Sequence, residues 1–294
     1  MSFERGQFRM SITSSCNMKC VYCHNEGNSC ASMLSLDNIK KILDASKDIG
    51  LKEIRLTGGD PLVHPQIYEI CRMIKEDYHL IVTINTNCIL IERLLELIKS
   101  GFVSRVVVGL DYFDGKISKN SPIGLSSKEI LSNILKVKNA NCDVSISTVY
   151  TNNDEELEKI VAWGIENRIR IKIIEVEKNE IAHTSSKDYL NMQNSIMKKF
   201  NFKEVIDDND EVNGYLGDFR AVSFFHSLCR LRRCDICKNI QLRISSNGIM
   251  KTCLYYNNQD ENILEGNINE KIKKIINRKV DYHYDKDLIV DEEE

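Results

Sequence analysis

Six short apolar runs, each followed by a stretch with helical periodicity, leave this chain few folds to choose from. The runs are Phe8 to Thr13, Ile54 to Thr57, Leu80 to Asn87, Arg105 to Asp111, Val144 to Tyr150 and Ile169 to Glu175. They are near-continuous apolar segments, as expected of strands buried on both faces. Between them the pattern predicts helices: one opening at Ser35 or Asp37 and closing at Gly50, one from Pro65, then Ile91 to Ser100, Ser127 to Lys138 and Asp154 to Glu166. A further helix is expected from about Ser186 to Phe200. Repeated strand–helix units imply parallel strands with right-handed crossovers. Closed or partial, such a sheet carries its site at the C-terminal ends of the strands.

The chemistry-bearing residues fall at those ends. Directly after the first strand, Cys16, Cys20 and Cys23 form a C-x3-C-x2-C array. Three thiolates on one loop can hold three irons of a cubane cluster. Full protein ligation takes four, so one iron stays open for chemistry. The competing readings are a zinc knuckle, which favours paired C-x2-C units, and a disulfide pair, which needs an oxidising compartment. After the second strand, Gly58-Gly59-Asp60-Pro61 lets backbone approach a ligand closely. The glycine carbonyls and the Asp60 carboxylate can accept hydrogen bonds from an ammonium group. Asn85, Thr86, Asn87, Asp111, Ser147 and Glu175 end later strands.

A second cysteine group follows residue 185. Cys234 and Cys237 form a C-x2-C knuckle, and Leu242 to Cys253 reads as a hairpin about Asn247-Gly248 that returns Cys253 towards it. Cys229 is either a fourth thiolate there or a buried thiol. Three or four thiolates suit a second iron–sulfur cluster or a zinc site. Cys71 lies on an apolar helix face, and Cys30, Cys88 and Cys142 are scattered. Two regions are expected, 1–185 and 186–294.

The 294 residues suffice for one barrel-sized core. A net charge of -3 gives no footprint for nucleic acid, and no apolar run is long enough for a membrane span. The N-terminus lacks the apolar core of a signal peptide, so eleven cysteines indicate metal ligation in a reducing cytoplasm.

The C-x3-C-x2-C loop, with Tyr22 before its last cysteine, resembles that of the radical S-adenosylmethionine (radical SAM) enzymes. Gly58 to Pro61, one strand later, resembles that family's GGEP turn, and Thr86 and Asn87 its next strand-end pair. The resemblance implies a partial (βα)6 barrel covering about Phe8 to Glu175. It also implies a [4Fe–4S] cluster on Cys16, Cys20 and Cys23, with S-adenosylmethionine bound by Tyr22, Gly58, Gly59, Asp60, Pro61, Thr86, Asn87 and Asp111. In that family the cluster gives an electron to the sulfonium and a 5′-deoxyadenosyl radical is released, so the resemblance also implies a small electron donor such as flavodoxin or ferredoxin.

The second half, with its C-x2-C, the run Leu242-Arg243-Ile244-Ser245-Ser246-Asn247-Gly248 and the final Cys253, resembles the MoaA-like GTP cyclases of molybdopterin biosynthesis. This implies one auxiliary [4Fe–4S] cluster on Cys234, Cys237 and Cys253, with Cys229 as a candidate fourth ligand. No cysteine follows Cys253, so a two-auxiliary-cluster domain of the peptide-modifying type is not expected. Four positions where that branch commonly has Lys or Arg hold Glu53, His64, Ser145 and Gln241, while Arg9, Arg55 and Arg243 remain. A triphosphate needs many cations, and Glu53 would add repulsion. The expectation is therefore a radical enzyme acting on a small polar substrate, a nucleotide or sugar, through Arg9, Arg55, Glu175 and Arg243. The alternatives are the GTP cyclase itself, a peptide-modifying enzyme, and a non-catalytic metal-binding protein.

Overall fold

A computed structural model describes residues 6–20, 23, 31–113, 126–175, 185–207, 211–227, 242–251 and 260–277. The expected alternation is present: β1 (Gln7–Thr13), α1 (Leu36–Asp44), β2 (Glu53–Gly58), α2 (Ile67–Arg72), β3 (Ile81–Thr86), α3 (Ile91–Lys99), β4 (Arg105–Gly109), α4 (Ser127–Asn139), β5 (Asp143–Val149), α5 (Asp154–Glu166) and β6 (Arg170–Ile174). After α6 (Ser186–Lys199) come β7 (Lys203–Ile206), β8 (Val212–Leu216) and β9 (Phe219–Phe225). The hairpin β10 (Arg243–Ile244) and β11 (Ile249–Lys251), then β12 (Glu261–Asn262) and α7 (Ile268–Asn277), complete the described chain.

All these strands join one α/β sheet, in the order β12-β11-β10-β1-β2-β3-β4-β5-β6-β9-β8-β7. Strands β1 to β6 pair in parallel, as expected. Two more parallel strands flank them, β10 beside β1 and β9 beside β6. Antiparallel strands extend both edges, so the sheet is an open, partial barrel and not a closed one.

Helix starts follow their caps. Ser35, not Asp37, caps α1 by accepting from Asn38 N–H, and α1 gives way to turns after Asp44, short of Gly50. Ser126 with Glu129 and Ser185 with Asp188 form reciprocal capping boxes on α4 and α6. Apolar helix faces such as Ile39, Ile42 and Leu43 of α1 and Leu94, Leu97 and Ile98 of α3 pack on alternate strand residues: Phe8, Met10 and Ile12, Ile54 and Leu56, Val82 and Ile84. Each such burial contributes roughly 1.5–3 kcal/mol. The other strand face differs from the expectation of strands apolar on both sides. Residues of opposite parity are polar on β1 to β3: Arg9, Ser11 and Thr13, then Arg55 and Thr57, then Thr83 and Asn85. The sheet therefore turns an apolar face to its helices and a polar face inward.

Candidate active site at the C-terminal ends of the strands

Strand β1 ends at Thr13 after a bulge, and the cysteine loop begins there. Thr13 Oγ1 accepts from Ser15 N–H at 3.1 Å. The base of the loop is pinned by two serines: Ser14 N–H donates to Ser32 O at 2.9 Å, and Ser32 N–H to Ser14 Oγ at 2.8 Å. Ser32 Oγ also meets Ser246 Oγ of the β10–β11 turn at 2.5 Å, so the C-terminal hairpin braces the loop. Cys16, Cys20 and Cys23 are not in disulfides. Met18 N–H donates to Cys16 Sγ at 3.3 Å, and Cys23 N–H to Cys20 O at 3.1 Å. Cys16 is exposed as a residue, yet its sulfur is partly desolvated. That desolvation pushes its thiol up to about 11; the Met18 N–H opposes the rise, and Asp60, Cys20 and Cys23 add to it. Among the described residues no three His, Cys, Asp or Glu side chains are drawn together closely enough to hold a metal ion. Tyr22 lies outside the described residues, as do Cys229, Cys234, Cys237 and Cys253 and also Gln241.

The glycine pair is fixed by the same loop. At Gly58, with φ at +148°, a Cβ would sit 2.2 Å from Thr13 O; at Gly59 it would sit 2.1 Å from Ser15 O and 2.7 Å from Cys16 N. Gly59 N–H donates to Thr13 O at 2.8 Å and Asp60 N–H to Ser15 O at 2.9 Å. The loop thus crosses the glycines backbone to backbone. Pro61, buried, opens a short 3-10 turn behind them.

Asp60 is buried, 1 % exposed. It accepts from Leu62 N–H at 2.9 Å, Thr86 Oγ1 at 2.7 Å and Asn87 N–H at 2.9 Å. Burial holds its carboxyl above the usual range against these hydrogen bonds. It ties the end of β2 to the end of β3. Asn87 carries the connection onward, donating from Nδ2 to Asn17 Oδ1 at 2.6 Å, inside the cysteine loop.

Asp111 accepts from Val149 N–H at 2.8 Å, joining the ends of β4 and β5. Glu175 is buried at the β6–β9 junction, where its Oε2 accepts from Ser227 N–H at 2.8 Å and lies 3.8 Å from His226 Nδ1. Arg243, Arg9 and Arg55 stand in register on β10, β1 and β2, all on the inward face. Two positions expected to have lost cations turn out to be structural. His64 is buried, with Nε2 donating to Leu34 O at 3.0 Å and Nδ1 accepting from Gln66 N–H at 3.1 Å. Burial lowers its pKa, partly offset by the Leu34 carbonyl and reinforced by Arg93. Glu53 does not present a bare charge: Thr83 Oγ1 donates to its Oε1 at 2.7 Å, and Arg105 lies 3.2 Å from its Oε2. Ser145 lies half-buried within β5.

Sequence reasoning placed Asn85 among the strand-end polar residues but missed Thr57. Thr57 Oγ1 and Asn85 Oδ1 are buried and have no hydrogen-bond partner among the described residues. They sit two residues beyond Arg55 and Thr83 on the same face. The period-2 alternation of a strand was the signal that could have found Thr57.

The family model for the radical SAM superfamily matches residues 10–164, a span that holds the cysteine loop, the glycine turn and the strand-end pair of β3. The chain belongs to the radical SAM superfamily. Radical SAM proteins are enzymes that use a [4Fe–4S] cluster and S-adenosylmethionine. Among relatives, a probable GTP 3′,8-cyclase of Methanococcus maripaludis is 27% identical over 272 residues, covering 89% of this chain and 88% of its own. A GTP 3′,8-cyclase of Clostridium perfringens is 29% identical over 300 residues, covering 94% and 90%. The crystal structure of Streptococcus suis SuiB bound to S-adenosylmethionine superposes with a TM-score of 0.68 at 20% identity. It covers 90% of this radical SAM chain, which spans only 64% of SuiB.

Proposed function

We propose that this radical SAM enzyme cleaves S-adenosylmethionine at a cluster held by Cys16, Cys20 and Cys23 and abstracts hydrogen from a small polar substrate bearing an anionic group. The observation that carries the substrate reading is the register of Arg243, Arg9 and Arg55 on three adjacent strands. Like charges side by side on a sheet repel, and an anion above them offsets that repulsion while accepting planar, charge-assisted hydrogen bonds.

The residues present fit the cofactors. Three thiols share one loop, two glycines hold that loop against the strand end, and Thr57 Oγ1 and Asn85 Oδ1, buried without a hydrogen-bond partner among the described residues, call for a polar ligand. A cluster with S-adenosylmethionine would supply there one electron to the sulfonium, giving a 5′-deoxyadenosyl radical. The chain's own residues do the positioning: Asp60 holds Thr86 and Asn87, and Asn87 holds the cysteine loop through Asn17. We further propose a second cluster on Cys234, Cys237 and Cys253, with Cys229 as a candidate fourth ligand, and a flavodoxin- or ferredoxin-like electron donor.

Anaerobically reconstituted protein given dithionite and S-adenosylmethionine should form 5′-deoxyadenosine. The Cys16→Ala, Cys20→Ala, Cys23→Ala variant should form none; equal activity in it would sink the reading. Iron should reach about eight per chain, four for each cubane, and fall by half in that variant. Zinc at the second site, with about four irons in total, would make the second cysteine group a structural knuckle.

The second reading is GTP cyclisation, favoured by the coverage of the cyclase relatives. Incubation with GTP and S-adenosylmethionine separates the two. We expect no cyclised product, because the inward arginines supply fewer cations than a triphosphate requires; a cyclised product at a useful rate would establish the second reading.

A further inference from the structure

Strand β7 forms an outer edge of the sheet. Among the described residues only β8 pairs with it. Exposed edges are commonly blunted by proline, a bulge or charge. The run Lys203-Glu204-Val205-Ile206-Asp207 holds no proline, and the register shift in this meander lies between β8 and β9, away from the edge. All four β7 residues are exposed, Val205 at 40 % and Ile206 at 60 %. These two lie on opposite faces. Val205 stands in register with Asn213 and Ser223, and Ile206 with Val212 and Phe224.

The ladder fixes which backbone groups turn outward. Antiparallel pairs alternate between those that exchange hydrogen bonds and those that do not. Asp207 N–H donates to Glu211 O at 3.1 Å. By that alternation the bonded pairs include Val205 with Asn213 and Lys203 with Tyr215. Glu204 and Ile206 therefore aim their N–H and C=O groups out of the sheet.

We propose that this edge pairs antiparallel with the same edge of a second copy of the chain, about a two-fold axis at Val205. In that register Glu204 and Ile206 exchange backbone hydrogen bonds with the partner's Ile206 and the partner's Glu204. Val205 lies opposite the partner's Val205, and Lys203 opposite the partner's Asp207. The charges select both the occupant and the register. A segment with Lys203 at one end and Asp207 at the other complements its own reversed copy, and opposite charges placed across strands attract. Sliding the register either way takes Lys203 off its position opposite the partner's Asp207, and one of the two slides sets Glu204 against the partner's Glu204. Asp207 Oδ1 already accepts from Glu211 N–H at 3.0 Å. A carboxylate has about four acceptor sites, so the partner's Lys203 adds to that contact without replacing it.

The test is sedimentation velocity of the reconstituted full chain, up to about 100 μM, where association in the micromolar range is visible. The wild type should show a reversible monomer–dimer equilibrium. Ile206→Pro removes an outward donor and leaves the bonds to β8 in place. Symmetry makes that loss count twice, so the dimer should weaken by about tenfold or more. Lys203→Glu, an exposed change that spares the backbone, should weaken it too by setting like charges opposite. In Val205→Cys the two-fold brings the substituted Cα atoms to about 4.5 Å, the spacing of a non-bonded pair and within reach of a disulfide. Peptide mapping after anaerobic treatment with oxidised glutathione should find that cross-link, and should find none in Ile206→Cys. A chain that stays monomeric throughout overturns the proposal and leaves the edge to a strand of a different protein. A dimer that Lys203→Glu and Ile206→Pro leave at wild-type strength also overturns it, as does cross-linking at Ile206→Cys but not at Val205→Cys.

Discussion

Gly59 and Asp60 show how two adjacent residues can serve one loop by different physics. Gly59 is required because the cysteine loop passes where its Cβ would be. Gly59→Ala must push the backbone of Ser15 and Cys16 away, an overpacking worth roughly 1–3 kcal/mol. The expected outcome is a lower melting temperature and a loss of iron from the cysteine loop, read by thermal denaturation and iron assay. Asp60 works from beneath, by accepting three hydrogen bonds. Asp60→Asn keeps the shape but sets N–H groups against donors, at about 1–3 kcal/mol for each donor left unpaired. Urea denaturation should show the loss, and iron binding should weaken because Asn87 no longer fixes Asn17. The glycine pair was legible in the sequence as a close backbone approach. What it approaches, the protein's own cysteine loop, was not, because that is a contact across more than forty residues.

At the scale of elements, the strand–helix alternation was legible because burial on the helix side imposes its own period. Asp154–Glu166 falls where its periodicity put it, and the β-strands differ from expectation by a residue or two at their ends. The meander β7 to β9 was not foreseen. All four residues of β7 are exposed, so no alternation marks it, and only Gly217, at φ +61°, hints at the β8–β9 turn. Capping was legible only in part. The α6 box, Ser185 with Asp188, is testable by itself: Ser185→Ala should cost about 1 kcal/mol. The Ser185 side chain, then its backbone N–H, holds the Asp188 carboxyl below the usual range. A depressed acid stabilises the folded state above its unfolded pKa and loses that contribution as pH falls through the folded value. The difference between wild type and Ser185→Ala in thermal melts should therefore be full at neutral pH and shrink below about pH 4.

At the scale of the molecule, the two ends of the described chain are fastened together. Strand β10 lies beside β1, Ser246 touches Ser32, and α7 reaches α1 through Asn269 to Ala45 O at 2.6 Å and Lys273 to Asp48. The hairpin at Asn247-Gly248 was legible from its turn residues, with Gly248 at φ +81°; its partner strand was not, since register between distant segments leaves no local trace. During synthesis β1 emerges first and waits for β10. At about 5–20 residues per second that delay is on the order of ten to fifty seconds. Throughout it, the N-terminal strand presents a bare hydrogen-bonding edge, the condition under which nascent chains pair with one another. A chain ending at residue 241 prolongs that exposure indefinitely. It should accumulate in inclusion bodies where the full chain is recovered soluble, and chaperone supply while the nascent chain is growing should govern the yield of intact enzyme more than iron supply does.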